Sequence, residues 1–377
     1  MTRKAPAAVA LVAAIASHAV ADPRGRDLGI PFDFGAPGKW NAITDVPGVE
    51  VGHTTLIEGD SVRTGVTAIL PRGRGDAARR LCFAGHFCLN GAGEMTGLPW
   101  VEESGFLDSP VLLTNTNSVG VVRDAVIAYA ARRWPPVGDD WTIWSQPVVA
   151  ETWDGDLSDI YGMHVRAEHA VAAMDRAATG PVAEGNVGGG TGMVCYEFKG
   201  GIGTASRRLS EADGGYTLGV LVQANHGLRP QLRIAGLPVG PELASDAKRG
   251  RDGGSIIIVI ATDAPLLPHQ LKRLARRAAL GLARTGSVAG NDSGDLFIAF
   301  STANPQVVGA PRPVALSMLP NLRMGPLFEA TVGATEEAIV NALVAGRTMT
   351  GFKGRTVSGL PHDKVREILR RHGRLLD

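Results

Sequence analysis

The chain has 377 residues, 44% of them hydrophobic and 20% charged, with a formal net charge of +1. That length and apolar content suffice for a large core, and the balanced charge provides no broad field for nucleic acid or an anionic membrane surface. The 49 glycines are nearly twice the ordinary share of about 7%. Without collagen periodicity or low complexity, they point to many tight turns in a compact α/β protein.

Residues 1–21 read as an address. Arg3 and Lys4 form a positive n-region, Ala5 to Ala16 an apolar h-region, and Ala19-Val20-Ala21 a small-x-small cleavage site. A signal peptide of this kind predicts export to the periplasm or beyond, with a mature chain from Asp22. Neither this stretch nor a later one is long enough to span a bilayer. Cys82, Cys88 and Cys195 are odd in number and lack a CxxC pattern, which argues against a disulfide scaffold and a zinc site. Three buried thiols are expected, with a Cys82–Cys88 bridge as the alternative.

Strand and helix signals then alternate. Strands are expected at Glu50–Leu56, Gly65–Leu70, Pro110–Thr114, Pro147–Glu151, Thr191–Phe198, Tyr216–Ala224, Ser255–Thr262 and Asp295–Ser301. Helices are expected at Val121–Arg133, Ser158–Ala178, Pro268–Arg284, Thr335–Ala345 and Asp363–Arg371. Pro268 suits a first helical turn, and Leu271, Leu274, Ala275, Ala278 and Leu282 share one face. No repeat of 20–50 residues is visible. The strong linker signal after the leader is Pro241 to Gly254, so interlocked sheets flanked by helices are expected rather than two independent domains.

That linker ends in charged and glycine-rich residues, Lys248 to Gly254, and is followed at once by Ser255-Ile256-Ile257-Ile258-Val259-Ile260-Ala261-Thr262. The β-branched run reads as a strand buried on both faces. A cut at Gly254–Ser255 would leave a serine with a free α-amine at the first position of a core strand, the layout of a self-processing hydrolase. Taken alone, the segment also fits an ordinary loop-to-strand junction.

Asn291-Asp292-Ser293-Gly294-Asp295 is a polar turn leading into a strand. Ser293 and Asp295, two apart, point to one side in extended geometry and offer a relay for a nucleophilic serine; a plain Asx or β-turn is the competing reading. Asn225 ends its strand, where a carboxamide donor can face an oxyanion or simply terminate the strand. Glu151, at another strand end, can hold a substrate ammonium or be a surface charge. Ser245-Asp246-Ala247-Lys248 matches S-x-x-K without the other lactamase motifs. Gly188 to Gly192 lacks the lysine of a P-loop. His164 and His169, five apart on the expected helix, match no metal spacing. No cofactor and no metal are expected.

The motifs occur in order: Asn41 to His53, Asn90 to Gly97, Thr114 to Gly120, Gly185 to Met193, Val222 to Asn225, Gly254-Ser255 and Gly290 to Asp295. As an ordered set over nearly all of the mature chain, they resemble the self-processing serine aminopeptidases, the L-aminopeptidase/D-amidase-esterase and β-peptidyl aminopeptidase type. The resemblance implies a four-layer αββα sandwich of Ntn-hydrolase-like topology. It further implies self-cleavage into an α chain, 22–254, and a β chain, 255–377, of one catalytic domain. By the same resemblance Ser255 is the nucleophile, Ser293 and Asp295 form its relay, Asn225 builds the oxyanion hole and Glu151 meets the substrate amine. Either the relay or the new α-amine can act as base. At Trp153 the family leads one to expect a tyrosine hydroxyl at the oxyanion site, and an indole N–H has a different reach.

The implied substrates are small peptides, amides or esters, and the implied assembly is a homo-oligomer, a tetramer of α/β heterodimers. The implied activity involves neither nucleic acid nor a membrane. The alternatives are an endo-acting polyamide-oligomer hydrolase, an acyltransferase of related fold (although ornithine acyltransferases carry a threonine junction) and a non-enzymatic exported binding protein.

Overall fold

The β-branched run from Ser255 is the central strand of the molecule, with both of its faces buried. The computed structural model describes residues 23–75, 81–133, 145–243, 254–305 and 312–376. The expected signal peptide and most of the Pro241–Gly254 linker lie outside the described residues.

In chain order the first half contributes β1 (Glu50–Glu58), β2 (Val62–Leu70), β3 (Cys82–Gly91), α1 (Leu98–Ser104), β4 (Phe106–Leu107), β5 (Val111–Asn115), α2 (Val119–Arg133), β6 (Val148–Thr152) and α3 (Ala167–Asp175). The second half contributes β7 (Val194–Cys195), β8 (Phe198–Lys199), β9 (Gly201–Arg208), β10 (Thr217–Asn225), α4 (Val239–Glu242), β11 (Ser255–Thr262), α5 (Pro268–Arg284), β12 (Gly294–Ser301), α6 (Gly325–Val344) and α7 (His362–Arg371). One sheet has the order β1-β2-β5-β6 and the other β4-β3-β12-β11-β10-β9.

Three apolar layers hold these sheets together. Ile257, Val259 and Ala261 of β11 meet Leu113, Val148 and Ala150 in the core between the sheets. Ile256, Ile258 and Ile260, pointing the other way, pack with Leu271 and Leu274 of α5 and Ala338 and Leu343 of α6. The outer face of the smaller sheet, with Ala68 and Val149, is covered by Val122 of α2 and Ala173 of α3. The result is the expected four-layer αββα sandwich. A strand with helices on one side and a second sheet on the other must be apolar at every position, hence the unbroken run.

The expected span of α5 is observed. Pro268 sits at its first turn, and the Gln270 carboxamide accepts from Leu267 N–H at 3.0 Å. Other elements depart from expectation. The segment Ser158–Ala178 is not one helix: Met163 takes a left-handed conformation (φ 50°) and α3 starts only at Ala167. His164 is therefore not on the helix with His169; its ring faces Asp159 at 3.5 Å. Helix α6 begins ten residues before the expected Thr335, because burial around most of its circumference erases the amphipathic stripe. The expected strand Thr191–Phe198 is a tight hairpin of β7 and β8. Strands β3 and β9 were not expected, since glycines and small polar residues dilute their alternation. All three cysteines are free, and Cys88 is exposed rather than buried. Cys82 and Cys88 lie six residues apart on β3, about 20 Å in extended geometry, too far to bridge.

A buried charge cluster ties the first described residues to α6. Glu337 accepts from Arg26 at 2.7 Å, from Asn41 at 2.6 Å and from the fully buried Arg207 at 2.7 Å. Burial alone would raise its pKa, but the paired guanidiniums win and hold the carboxyl below its usual range. Glu337→Gln leaves Arg207 buried without its counter-charge. The expected loss is about 3–5 kcal/mol, read as a lower midpoint in thermal or urea unfolding.

Candidate active site

Topology brings the ends of three strands together. Strand β10 runs antiparallel to β11, so Asn225, the last residue of β10, pairs with Ser255, the first of β11. Strand β12 runs parallel to β11, and Asp295 pairs with Ile256. Asn225, Ser255, Ser293 and Asp295 thus meet at one end of the central strands of the larger sheet, all buried.

Within this cluster Ser255 Oγ accepts from the Gly294 N–H at 3.1 Å. Ser293 Oγ lies 2.8 Å from Asp295 Oδ1 and also contacts the Gly254 carbonyl oxygen. A hydroxyl has one proton, so it donates to the carboxyl or to the carbonyl, not to both. Asn225 Oδ1 accepts from the Val194 N–H at 2.7 Å, which places the NH2 on the opposite side of the carboxamide. A Cβ at Gly254 would stand 2.0 Å from the Asn225 carbonyl oxygen, so only glycine lets the chain enter β11 this close to β10.

The smaller sheet supplies a carboxylate. Glu151, in the last turn-ward residues of β6, is buried rather than a surface charge. One of its oxygens accepts from Glu94 N–H at 3.0 Å and the other from the Thr116 hydroxyl. Burial raises its pKa, and these two hydrogen bonds partly oppose the shift. The loop after β3 links the two sheets here: a Cβ at Gly93 would lie 3.1 Å from Gly294 Cα and 3.2 Å from Glu151 Oε1. Glu151 is therefore only a glycine's width from the residue whose N–H holds Ser255.

Asp154 follows, fully buried and 3.1 Å from Asn115 Nδ2; burial pushes its pKa up to about 7. Trp153 between them is 36% exposed, with its indole against Gly155 and edge-on to Tyr161 at 6.4 Å between ring centroids.

The family model of peptidase family S58 matches residues 41–357. Beta-peptidyl aminopeptidase BapA of Sphingosinicella microcystinivorans is 52% identical over 399 aligned positions, covering 99% of this chain and 98% of that protein. The solved Burkholderia sp. beta-aminopeptidase superposes with a TM-score of 0.86 at 51% identity, covering 93% of this chain and 99% of its own. The L-aminopeptidase D-ala-esterase/amidase of Ochrobactrum anthropi, described as a prototype for the serine aminopeptidases and a variant of the Ntn-hydrolase fold, gives 0.88 at 45% identity, covering 94% and 99%. The chain belongs to peptidase family S58 and is a serine aminopeptidase, a hydrolase of the Ntn fold.

The structure gathers Ser255, Ser293, Asp295 and Asn225 in one hydrogen-bonded neighbourhood and sets Glu151 beside it through Gly93. Glu94 N–H, Thr116, Gly294 N–H, Val194 N–H and Asp154 were not singled out from sequence. Backbone donors carry no side-chain signature, and Thr116 sits within a motif whose glycines and asparagines read equally as a turn.

Asp154 provides a test of the electrostatics. The folded protein keeps this proton up to about pH 7, whereas an exposed carboxyl releases it near 3.8. The group therefore destabilises the fold increasingly as pH rises from about 4 to 7, by on the order of a few kcal/mol. Asp154→Asn is expected to raise the thermal midpoint at pH 8 much more than at pH 4, as measured by calorimetry.

Proposed function

We propose that the protein is made as a precursor that cuts itself between Gly254 and Ser255 and then removes N-terminal residues from small peptides, amides and esters. β-Amino acids are among the residues it releases; the names of the relatives about half identical to it support that choice. The observation that carries the proposal is the arrangement at the junction, where Ser255 Oγ is held by Gly294 N–H while the Gly254 carbonyl meets the Ser293 hydroxyl.

In the first reaction Ser255 Oγ attacks the Gly254 carbonyl carbon while its proton passes to the Ser293–Asp295 pair, which later gives it to the departing nitrogen, and the carbonyl oxygen becomes an oxyanion. The C–N bond then breaks, the departing nitrogen takes a proton, and an ester joins Gly254 to Ser255. Water cleaves this ester, returning the hydroxyl and freeing a Gly254 carboxylate. Turnover repeats the sequence on a bound substrate, with the Asn225 amide N–H on the oxyanion and Ser293 and Asp295 beside the nucleophile. Glu151 faces the substrate's ammonium, which restricts cleavage to the first residue. Export guided by residues 1–21 and assembly of the α/β heterodimers into an oligomer belong to the same proposal, on the family resemblance.

Intact-mass analysis and N-terminal sequencing test the first half. Wild type is expected to give two chains, the second starting Ser255-Ile256, while Ser255→Ala stays whole and inactive. Gly254→Ala is expected to slow cleavage severely, because its Cβ cannot fit against the Asn225 carbonyl. Fully active wild type in one piece, or a cleaved Ser255→Ala, would overturn the scheme.

Glu151→Gln tests the second half. Loss of one charge-assisted contact, about 1.5–3 kcal/mol, is expected to lower kcat/KM by about 10- to 100-fold on substrates with a free amine. Because burial raises the Glu151 pKa, wild-type kcat/KM is expected to fall on the acid side at a pH above the ordinary carboxylate range. That limb should be absent in Glu151→Gln.

A further inference from the structure

Between the two halves of the site lies a turn, Gly190 to Val194, held from below by a lysine with no exposed surface. Lys199 Nζ donates to the carbonyls of Met193 at 2.8 Å, Gly200 at 2.9 Å and Gly190 at 3.2 Å, so all three of its protons are used. The next N–H after Met193 is that of Val194, the donor that fixes Asn225 Oδ1 at 2.7 Å. The Met193 thioether also meets the Thr152 hydroxyl at 2.8 Å, and Thr152 follows Glu151. One turn thus reaches the oxyanion residue through its backbone and the amine-binding strand through its side chain.

The hairpin that delivers Lys199 is itself strained. Both central residues between β7 and β8, Tyr196 (φ 50°) and Glu197 (φ 58°), adopt the left-handed conformation that two-residue hairpins require and that glycine or asparagine usually fills. Non-glycine residues in this conformation persist only where the surrounding structure holds them. Here the Tyr196 hydroxyl meets Thr285 at 2.8 Å, the Tyr196 N–H donates to the His226 carbonyl at 2.7 Å, and the Glu197 carboxylate accepts from Arg229 N–H at 3.0 Å. Burial pushes the Lys199 pKa down to about 7. An unbranched apolar side chain would fill the same space without that desolvation penalty. A buried ammonium that spends two of its three donors on carbonyls of this turn and the third on the adjoining Gly200 is accounted for if the turn's placement matters.

We infer that Lys199 is a positioning residue for acyl transfer: it fixes the Met193–Val194 peptide so that Val194 N–H orients the Asn225 carboxamide toward the oxyanion. The inference rests on the reading of Asn225 as the oxyanion donor. It adds that this donor is aimed by a cation lying outside the reacting groups.

The experiment compares Lys199→Met, Asn225→Ala and the double variant, each expressed as the full chain, with kcat expressed per self-cleaved molecule as counted by intact mass. The readouts are kcat and KM on an aminoacyl amide, the rate of self-cleavage and the thermal midpoint. Asn225→Ala is expected to lower kcat by about 100- to 1000-fold, as the loss of one oxyanion donor does. Lys199→Met is expected to lower kcat by about 10- to 100-fold and to slow self-cleavage, with KM within about twofold, since a displaced donor retains part of its effect. The double variant should be no slower than Asn225→Ala, because the lysine acts through that residue. Lys199→Gln, which retains two donors, is expected to recover part of kcat, and it serves in place of Lys199→Met if the latter does not fold.

A Lys199 variant with wild-type kcat, or one whose loss lies in KM alone, overturns the inference while leaving the Asn225 reading intact. Losses that multiply fully in the double variant also overturn it. An Asn225→Ala enzyme with wild-type kcat instead overturns the reading on which the inference stands.

Discussion

The antiparallel register that sets Asn225 opposite Ser255 is the constraint on which the site depends. Shifting it by one residue would turn Ile256, Ile258 and Ile260 from the helical layer to the inter-sheet core and would carry the serine away from its neighbours. The register is secured from both sides, because each face of β11 is packed against a different apolar layer. Parallel pairing with β12 then brings Asp295, and with it Ser293, to the same end of the strands. The position of Ser255 is thus a property of the core, and the large apolar area buried along β11 holds a few polar atoms at its end.

The second constraint is close backbone approach. At Gly254 the chain enters β11 against the Asn225 carbonyl, and at Gly93 and Gly294 two backbones nearly touch. These contacts bring a carboxylate on one sheet, Glu151, next to a hydroxyl on the other without any long side chain spanning the gap. Burial raises the pKa of both Glu151 and Asp154. A carboxylate so placed gains most from a cationic partner, which fits the ammonium of a substrate better than a surface charge.

Legibility differed by element for physical reasons. Strands β10, β11 and β12 and helix α5 were visible because their apolar runs or periodicity match their surroundings. Helix α6 was half seen, since burial around most of its circumference leaves no polar stripe, and β3 and β9 were missed because glycines interrupt their alternation. The β7–β8 hairpin was read as a strand: Tyr196 and Glu197 give no turn signal, and they hold positive φ only because Thr285, His226 and Arg229 hold them there. In the site, side chains in ordered motifs were found, and Ser255, Ser293, Asp295, Asn225 and Glu151 do assemble. The Gly294, Glu94 and Val194 N–H groups were not found, since every residue but proline has one.

The sequence by itself determined the buried central strand, the glycine that must precede it, the polar turn before β12 and the family to which their order points. These are local or ordered features, written in residue type and spacing. The tertiary structure alone decided that Glu151 is buried and approaches Gly93 and Gly294, that Cys88 is exposed, and that a lysine with no exposed surface holds the turn bonded to Asn225. Each of these depends on contacts between segments far apart in the chain, where packing, rather than a residue's own preference, sets the environment and hence the charge and reach of the group.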